Sequence, residues 1–135
     1  CNSTSDCSGS VYRSCDQVES NGTQIPSFNV CSQQCDVMDP ENSSSPYKPC
    51  GPNVQCVTTE NGATDCVGPA GSGTDGDDCA SDLDCSPGFT CATIGSNSTC
   101  MQWCRPGYWE CPLFYSCTRF NPAVKVGTTE FGVCY

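Results

Sequence analysis

The chain has no histidine, only two leucines (Leu83 and Leu113) and only five basic residues among 135. Without histidine there is no Ser–His–Asp or Cys–His catalysis and no imidazole ligand for a metal. Five bases against 15 acids leave a formal charge of −10. Such a surface excludes nucleic acid as a partner, because phosphates require a basic face. No apolar run approaches the roughly 20 residues of a membrane span. No helical periodicity is present, and 10 prolines with 13 glycines argue against long elements. With so few aliphatic residues, burial alone cannot hold a folded module of about 60 residues.

Cysteine is what the chain has instead, 16 residues of it. That density and even count indicate a disulfide scaffold with every thiol paired, made in an oxidising compartment. The chain is therefore expected to be secreted or held at a cell surface. The spacing repeats. The gaps are 5, 7, 15, 3, 14, 5 and 9 residues from Cys1 to Cys66, and 5, 5, 8, 3, 6, 5 and 16 from Cys79 to Cys134. The flanks agree as well: Cys1-NSTSD-Cys7 matches Cys79-ASDLD-Cys85, and VCSQQC matches TCMQWC. Residues 1–67 and 79–135 thus read as tandem copies of one eight-cysteine module, joined by a Gly/Asp-rich linker at 68–78 whose small residues predict flexibility. Taking Cys31-SQQ-Cys35 and Cys100-MQW-Cys104 as joints divides the chain into four units of four cysteines, 1–31, 35–66, 79–100 and 104–134.

Each unit carries a hairpin signal between its third and fourth cysteines. The clearest is Asn61-Gly62 between the Thr/Val-rich runs 54–59 and 63–67. Runs 89–93 and 98–101 flank a second turn, runs 115–120 and 131–135 a longer one, and runs 11–15 and 28–32 another. The fold class is small and disulfide-rich, mostly irregular with short antiparallel hairpins. Four cysteines allow three pairings. Bonding third to fourth would staple a hairpin to itself and leave the N-terminal arm loose. First-to-third with second-to-fourth pins the arm to both strands. The favoured bonds are Cys1–Cys15, Cys7–Cys31, Cys35–Cys56, Cys50–Cys66, Cys79–Cys91, Cys85–Cys100, Cys104–Cys117 and Cys111–Cys134.

The run CASDLDCSPGFTC, with the following CxxxC and a closing GVC, resembles the cysteine-rich modules of Dickkopf-type and colipase-like secreted proteins. The likeness centres on 79–104, and the adjacent cysteine pair typical of colipase folds is missing. The resemblance implies a small all-β disulfide fold. It carries over neither lipase nor Wnt co-receptor binding, since no functional residue of those families has a counterpart here.

Four N-glycosylation sequons begin at Asn2, Asn21, Asn42 and Asn97, each in a variable gap, and N-linked glycans are expected on them. Asp75, Asp77 and Asp78, with Asp82 and Asp84, offer oxygen ligands for calcium without EF-hand spacing, and read more simply as a solvated acidic segment. No other metal or cofactor is expected, and no enzyme. The aromatic residues concentrate late in the chain: Trp103, Tyr108, Trp109, Phe114, Tyr115 and Phe120 form either the one mini-core or an exposed contact surface. Residues 1–66 carry eight acids against Arg13 and Lys48, whereas Arg105, Arg119 and Lys125 lie in the fourth unit. A head-to-tail contact between the basic, aromatic end and the acidic end is the expected association. These features point to a structural, self-associating extracellular glycoprotein, the subunit of a filament, surface hair, coat or matrix. The alternative is a monomeric secreted binding module such as a protease inhibitor or signalling antagonist.

Overall fold

A computed structural model describes residues 15–20, 23–31, 34–42, 49–58 and 62–135. Among them, strands pair as four antiparallel hairpins: β1 (Cys15–Ser20) with β2 (Thr23–Cys31), β3 (Gln55–Thr58) with β4 (Thr64–Val67), β5 (Phe89–Ile94) with β6 (Asn97–Cys104), and β7 (Cys117–Val126) with β8 (Thr129–Cys134). The protein is a small disulfide-rich, mostly β fold, with one short 3-10 turn at Asp82–Asp84.

One register rule runs through all four hairpins. The third cysteine of each unit lies directly opposite the fourth: Cys15 and Cys31, Cys56 and Cys66, Cys91 and Cys100, Cys117 and Cys134. Residues opposite one another in an antiparallel pair share a face. In the second, third and fourth units both sulfurs therefore leave on the side where the arm passes, and each takes a separate partner from it. Six bonds follow this scheme: Cys35–Cys56, Cys50–Cys66, Cys79–Cys91, Cys85–Cys100, Cys104–Cys117 and Cys111–Cys134. Their Cα separations of 5.4 to 5.9 Å suit a disulfide. Within a unit the two bonds stack, so that the sulfurs of Cys79, Cys85 and Cys100 lie within 4.8 Å of one another, as do those of Cys104, Cys111 and Cys134. Cys15 and Cys31 are also disulfide-bonded. Cys1 and Cys7, assigned to them from the spacing, lie outside the described residues.

The third and fourth units merge. Trp103 and Cys104 of β6 pair with Val133 and Gly132 of β8, giving one sheet of order β5-β6-β8-β7. The Cys100–Cys104 joint is thus the continuous end of a strand. Gly132 is required at this junction, because a Cβ there would stand 2.3 Å from the Thr118 carbonyl oxygen.

The core crosses the boundary drawn at 68–78. Trp103 packs its ring 5.7 Å from Phe120 and edge-on to Phe131 at 6.2 Å. The same cluster includes Val126 and reaches Cys35, Val37 and Cys56 of the second unit. Gln55 ties the units with polar contacts. Its buried amide Nε2 donates to the carbonyls of Phe89 (2.7 Å), Asp82 (3.3 Å) and Ser86 (3.3 Å), while its Oε1 accepts from the Cys56 N–H. Thr64 latches the arm of its own unit, accepting from the Cys35 N–H and donating to the Cys35 carbonyl, both at 2.9 Å.

Residues 70–78 follow a bonded course instead of the flexible one their composition suggests. The Gly73 N–H donates to the Asp84 carbonyl and the Gly76 N–H to that of Cys100, while Asp77 accepts on its carbonyl from the Cys100 N–H. Asp78 bridges Thr99 of β6, on the side away from β5. The small residues serve close approach: a Cβ on Gly71 would lie 2.1 Å from the Asp84 oxygen.

Candidate functional site

The site is built from the arm of the fourth unit, where two tight loops follow one another between disulfides. The first spans 105–110 and is closed by its own ends. Glu110 accepts from the Arg105 backbone N–H and Nε, both at 2.8 Å, and forms an ion pair with the same guanidinium. The Arg105 guanidinium also lies 4.8 Å from the centre of the Tyr108 ring. Burial raises the Glu110 carboxyl, but the hydrogen bonds from Arg105 outweigh it and hold the group below the ordinary glutamate range. The same hydrogen bond raises the Arg105 pKa further.

This clamp repeats one in the third unit. Asp84, like Glu110, directly precedes the second cysteine of its unit, and it accepts from the N–H groups of Ala80 (2.8 Å) and Ser81 (2.9 Å). Those bonds lower its pKa. In both units an acid therefore gathers the amide that follows the first cysteine.

The second loop, 112–115, is a β-turn closed by the Tyr115 N–H donating to the Pro112 carbonyl at 3.1 Å. Its third residue, Phe114, has φ of 76°. That left-handed conformation disfavours a bulky side chain. The chain end holds the loop base, through paired backbone bonds between Ser116 and Tyr135 at 3.0 and 3.1 Å.

Two rigid tips therefore project with apolar residues at their ends. Trp109 and Phe114 are fully exposed (104% and 102%), Leu113 is 85% exposed, and Tyr108, Tyr115 and Tyr135 are exposed as well. A cleft of about 340 Å³ is lined by Gly107, Tyr108, Trp109, Cys111, Tyr115, Ser116 and Cys117. No charged residue lines it. Single exposed apolar residues are ordinary, but exposed rings gathered around one cleft, as Tyr108, Trp109 and Tyr115 are, mark a contact surface.

The six aromatic residues singled out in the sequence thus separate into two groups. Tyr108, Trp109, Phe114 and Tyr115 stand on the exposed platform. Trp103 is a correction: it is only 3% exposed and lies in the core, and Phe120 is half-buried against it. The reason is the strand: Trp103 sits in β6 on the face turned towards the second unit, whereas Trp109 sits in a loop. Leu113 and Tyr135 join the platform without having been singled out. Leu113 did carry a signal. At the same repeat position the second and third units place Pro52-Asn53 and Pro87-Gly88, with Asn53 at φ 57° and Gly88 at φ 89°. These are the residues such a turn favours. The fourth unit places Leu113-Phe114 there instead.

Two of the three bases expected to steer a head-to-tail contact are paired internally. Arg105 pairs with Glu110, and Arg119 with Glu130 at 2.9 Å. Lys125 lies opposite Glu130 across the β7–β8 pair. The acids around the 75–84 segment do not converge. Asp77 accepts from the Thr74 N–H, Asp82 from the Cys91 N–H and the Thr90 hydroxyl, and Asp84 from its own arm. Among the described residues, the groups with metal-ligand spacing are cysteines already in disulfides.

Of the sequon asparagines, Asn42 is exposed beside Asp39, and Asn97 is exposed at the tip of the β5–β6 hairpin. Asn97 lies seven residues, about 23 Å of strand, from Cys104 where the platform arm begins. Asn2 and Asn21 lie outside the described residues. No family model, no curated protein and no solved structure matches this chain.

Proposed function

We propose that this chain is a non-catalytic, extracellular structural glycoprotein that associates with further copies of itself, as a subunit of a filament, surface hair, coat or matrix. The observation that carries this reading is the pair of disulfide-pinned tips holding Trp109 and Phe114 fully in solvent. Rings of that size on a preorganised loop lose little conformational freedom on burial, which is how interface anchors gain affinity. The platform contains no sequon, so the expected glycans leave it open.

An inhibitor reading has less support. Of the basic anchors such a loop would present, Arg105 and Arg119 are held by Glu110 and Glu130, and Arg13 lies outside the described residues. A monomeric binder remains the second reading because of the uncharged cleft beside Trp109.

Sedimentation velocity over a range of concentrations, on protein with its disulfides intact, decides between them. Reversible association that disappears in the Trp109→Ala, Phe114→Ala double variant is the expected result. A monomer at every concentration removes the self-association reading.

A further inference from the structure

We propose that the platform of the fourth unit pairs with the same platform of a second copy about a two-fold axis, with Phe114 of each copy seated in the cleft of the other. The proposal rests on the self-association reading above and adds the geometry of one contact; a two-fold contact closes at a pair, so a filament, coat or matrix needs a second contact elsewhere on the chain.

Three observations point to this occupant. The first is charge. At a net charge of −10, two copies repel one another overall. The platform is where that repulsion is absent: Tyr108, Trp109, Leu113, Phe114, Tyr115 and Tyr135 are uncharged, and the flanking Arg105 and Glu110 neutralise each other. A two-fold contact needs a face complementary to itself, which an uncharged face is. A head-to-tail contact needs positive charge to meet the acidic module, and with both arginines of the fourth unit paired only Lys125 is left to supply it.

The second is area. Buried rings remove about 150–250 Å² each. Five exposed aromatic residues and Leu113 therefore offer on the order of 800 Å², which is what each partner contributes to a standard stable interface.

The third is shape. Phe114 does not line the cleft; it is fully exposed and directly precedes Tyr115, which does line it. A projecting ring and a cleft thus lie one residue apart in the chain, so two copies can offer a cleft to each other's ring. Phe114 keeps the left-handed backbone that Asn53 and Gly88 have in the equivalent turns, although its side chain is bulky.

Leu113 provides the test, since at 85% exposure its replacement leaves the fold intact. In a two-fold contact, Leu113→Lys places two like charges in one interface, and so does Leu113→Asp. Each variant alone should associate at least about tenfold more weakly than the parent, and an equimolar mixture should recover most of the loss as a mixed pair. If only the Asp variant weakens while the Lys variant holds, the contact is head-to-tail and the two-fold pairing is wrong. Failure of the mixture to recover also overturns it. If the parent is monomeric throughout, the self-association reading itself falls, which is a distinguishable result.

Discussion

Residues 86–89 and 112–115 occupy the same place in the third and fourth units, between the second and third cysteines. Both are turns closed by a 3.1 Å backbone hydrogen bond, Phe89 N–H to Ser86 and Tyr115 N–H to Pro112. The first uses Pro87-Gly88, fits its backbone, and is packed: a Cβ on Gly88 would lie 3.1 Å from the Met38 carbonyl oxygen. The second uses Leu113-Phe114, opposes its backbone, and is bare. One scaffold thus runs the same loop in two ways, once for packing between units and once for display. The strain is located on the displayed copy, where no neighbour within the chain requires a large side chain.

The strongest way to break this contrast between packed and displayed residues is through the two tryptophans. Trp103→Ala should destabilise the fold by about 3–5 kcal/mol, because it empties the cluster shared by the second and fourth units. Trp109→Ala should change stability by less than about 0.5 kcal/mol. Denaturant unfolding without reductant measures both. Comparable losses would mean that the tip is also core.

Next in size is the residue preceding the third cysteine, which is Gln55, Thr90 or Ser116 in successive units. Gln55→Ala should lose about 2–3 kcal/mol, since three carbonyls of the third unit lose their donor. Ser116→Ala should be close to neutral, because its hydroxyl has only a 3.4 Å contact to the Tyr135 carbonyl. Unfolding curves on the two variants test whether this position carries the joint between units or only fills a strand.

A swap at the turns sharpens the comparison directly. Phe114→Gly should stabilise the fold by about 1 kcal/mol by relieving the left-handed backbone. The same change should weaken self-association, so stability and assembly move in opposite directions. Gly88→Ala should destabilise by about 1–2 kcal/mol. A loss of stability in Phe114→Gly would show that the ring is held by contacts within its own chain.

The smallest effect expected is from acid. Asp84 and Glu110 both have depressed folded pKa values, so their contribution is present above the unfolded value of about 4 and is lost as pH falls through the folded value. With no histidine in the chain, stability should be flat between about pH 5.5 and 8 and decline only below about pH 4. A thermal-melt series against pH checks this, and a step near neutrality would contradict it.

The hairpins and the six described disulfides were legible because cysteine spacing records local closure. Strands at Gln55–Thr58 and Thr64–Val67 sit within a residue or two of the Thr/Val runs flanking Asn61-Gly62. Strand β7 was less legible: it continues to Val126 past Pro122, where an irregular register absorbs the proline. Contacts between units left little trace. Gln55 is a polar residue in a polar chain, and nothing local marks it as fully buried. Residues 70–78 have the composition of a spacer, yet glycine also permits close packing, and composition does not separate the two uses. Trp103 and Trp109 differ only in their place along the chain, a strand end for one and a clamped loop for the other. The substitution of Leu-Phe for Pro-Asn and Pro-Gly was visible in the repeat and needed only the units to be aligned on their second and third cysteines.

The six described disulfides close over 12 to 23 residues, and each remains inside its own unit. The shared core, by contrast, needs the second unit and the fourth together. Oxidation and docking are therefore separable in time. A unit emerging during synthesis holds all the cysteines it needs and must choose among only three pairings. It can be locked before the next unit has left the ribosome. Mispairing between units is then limited by order of arrival, and Trp103 and Gln55 join parts whose covalent shape is already set.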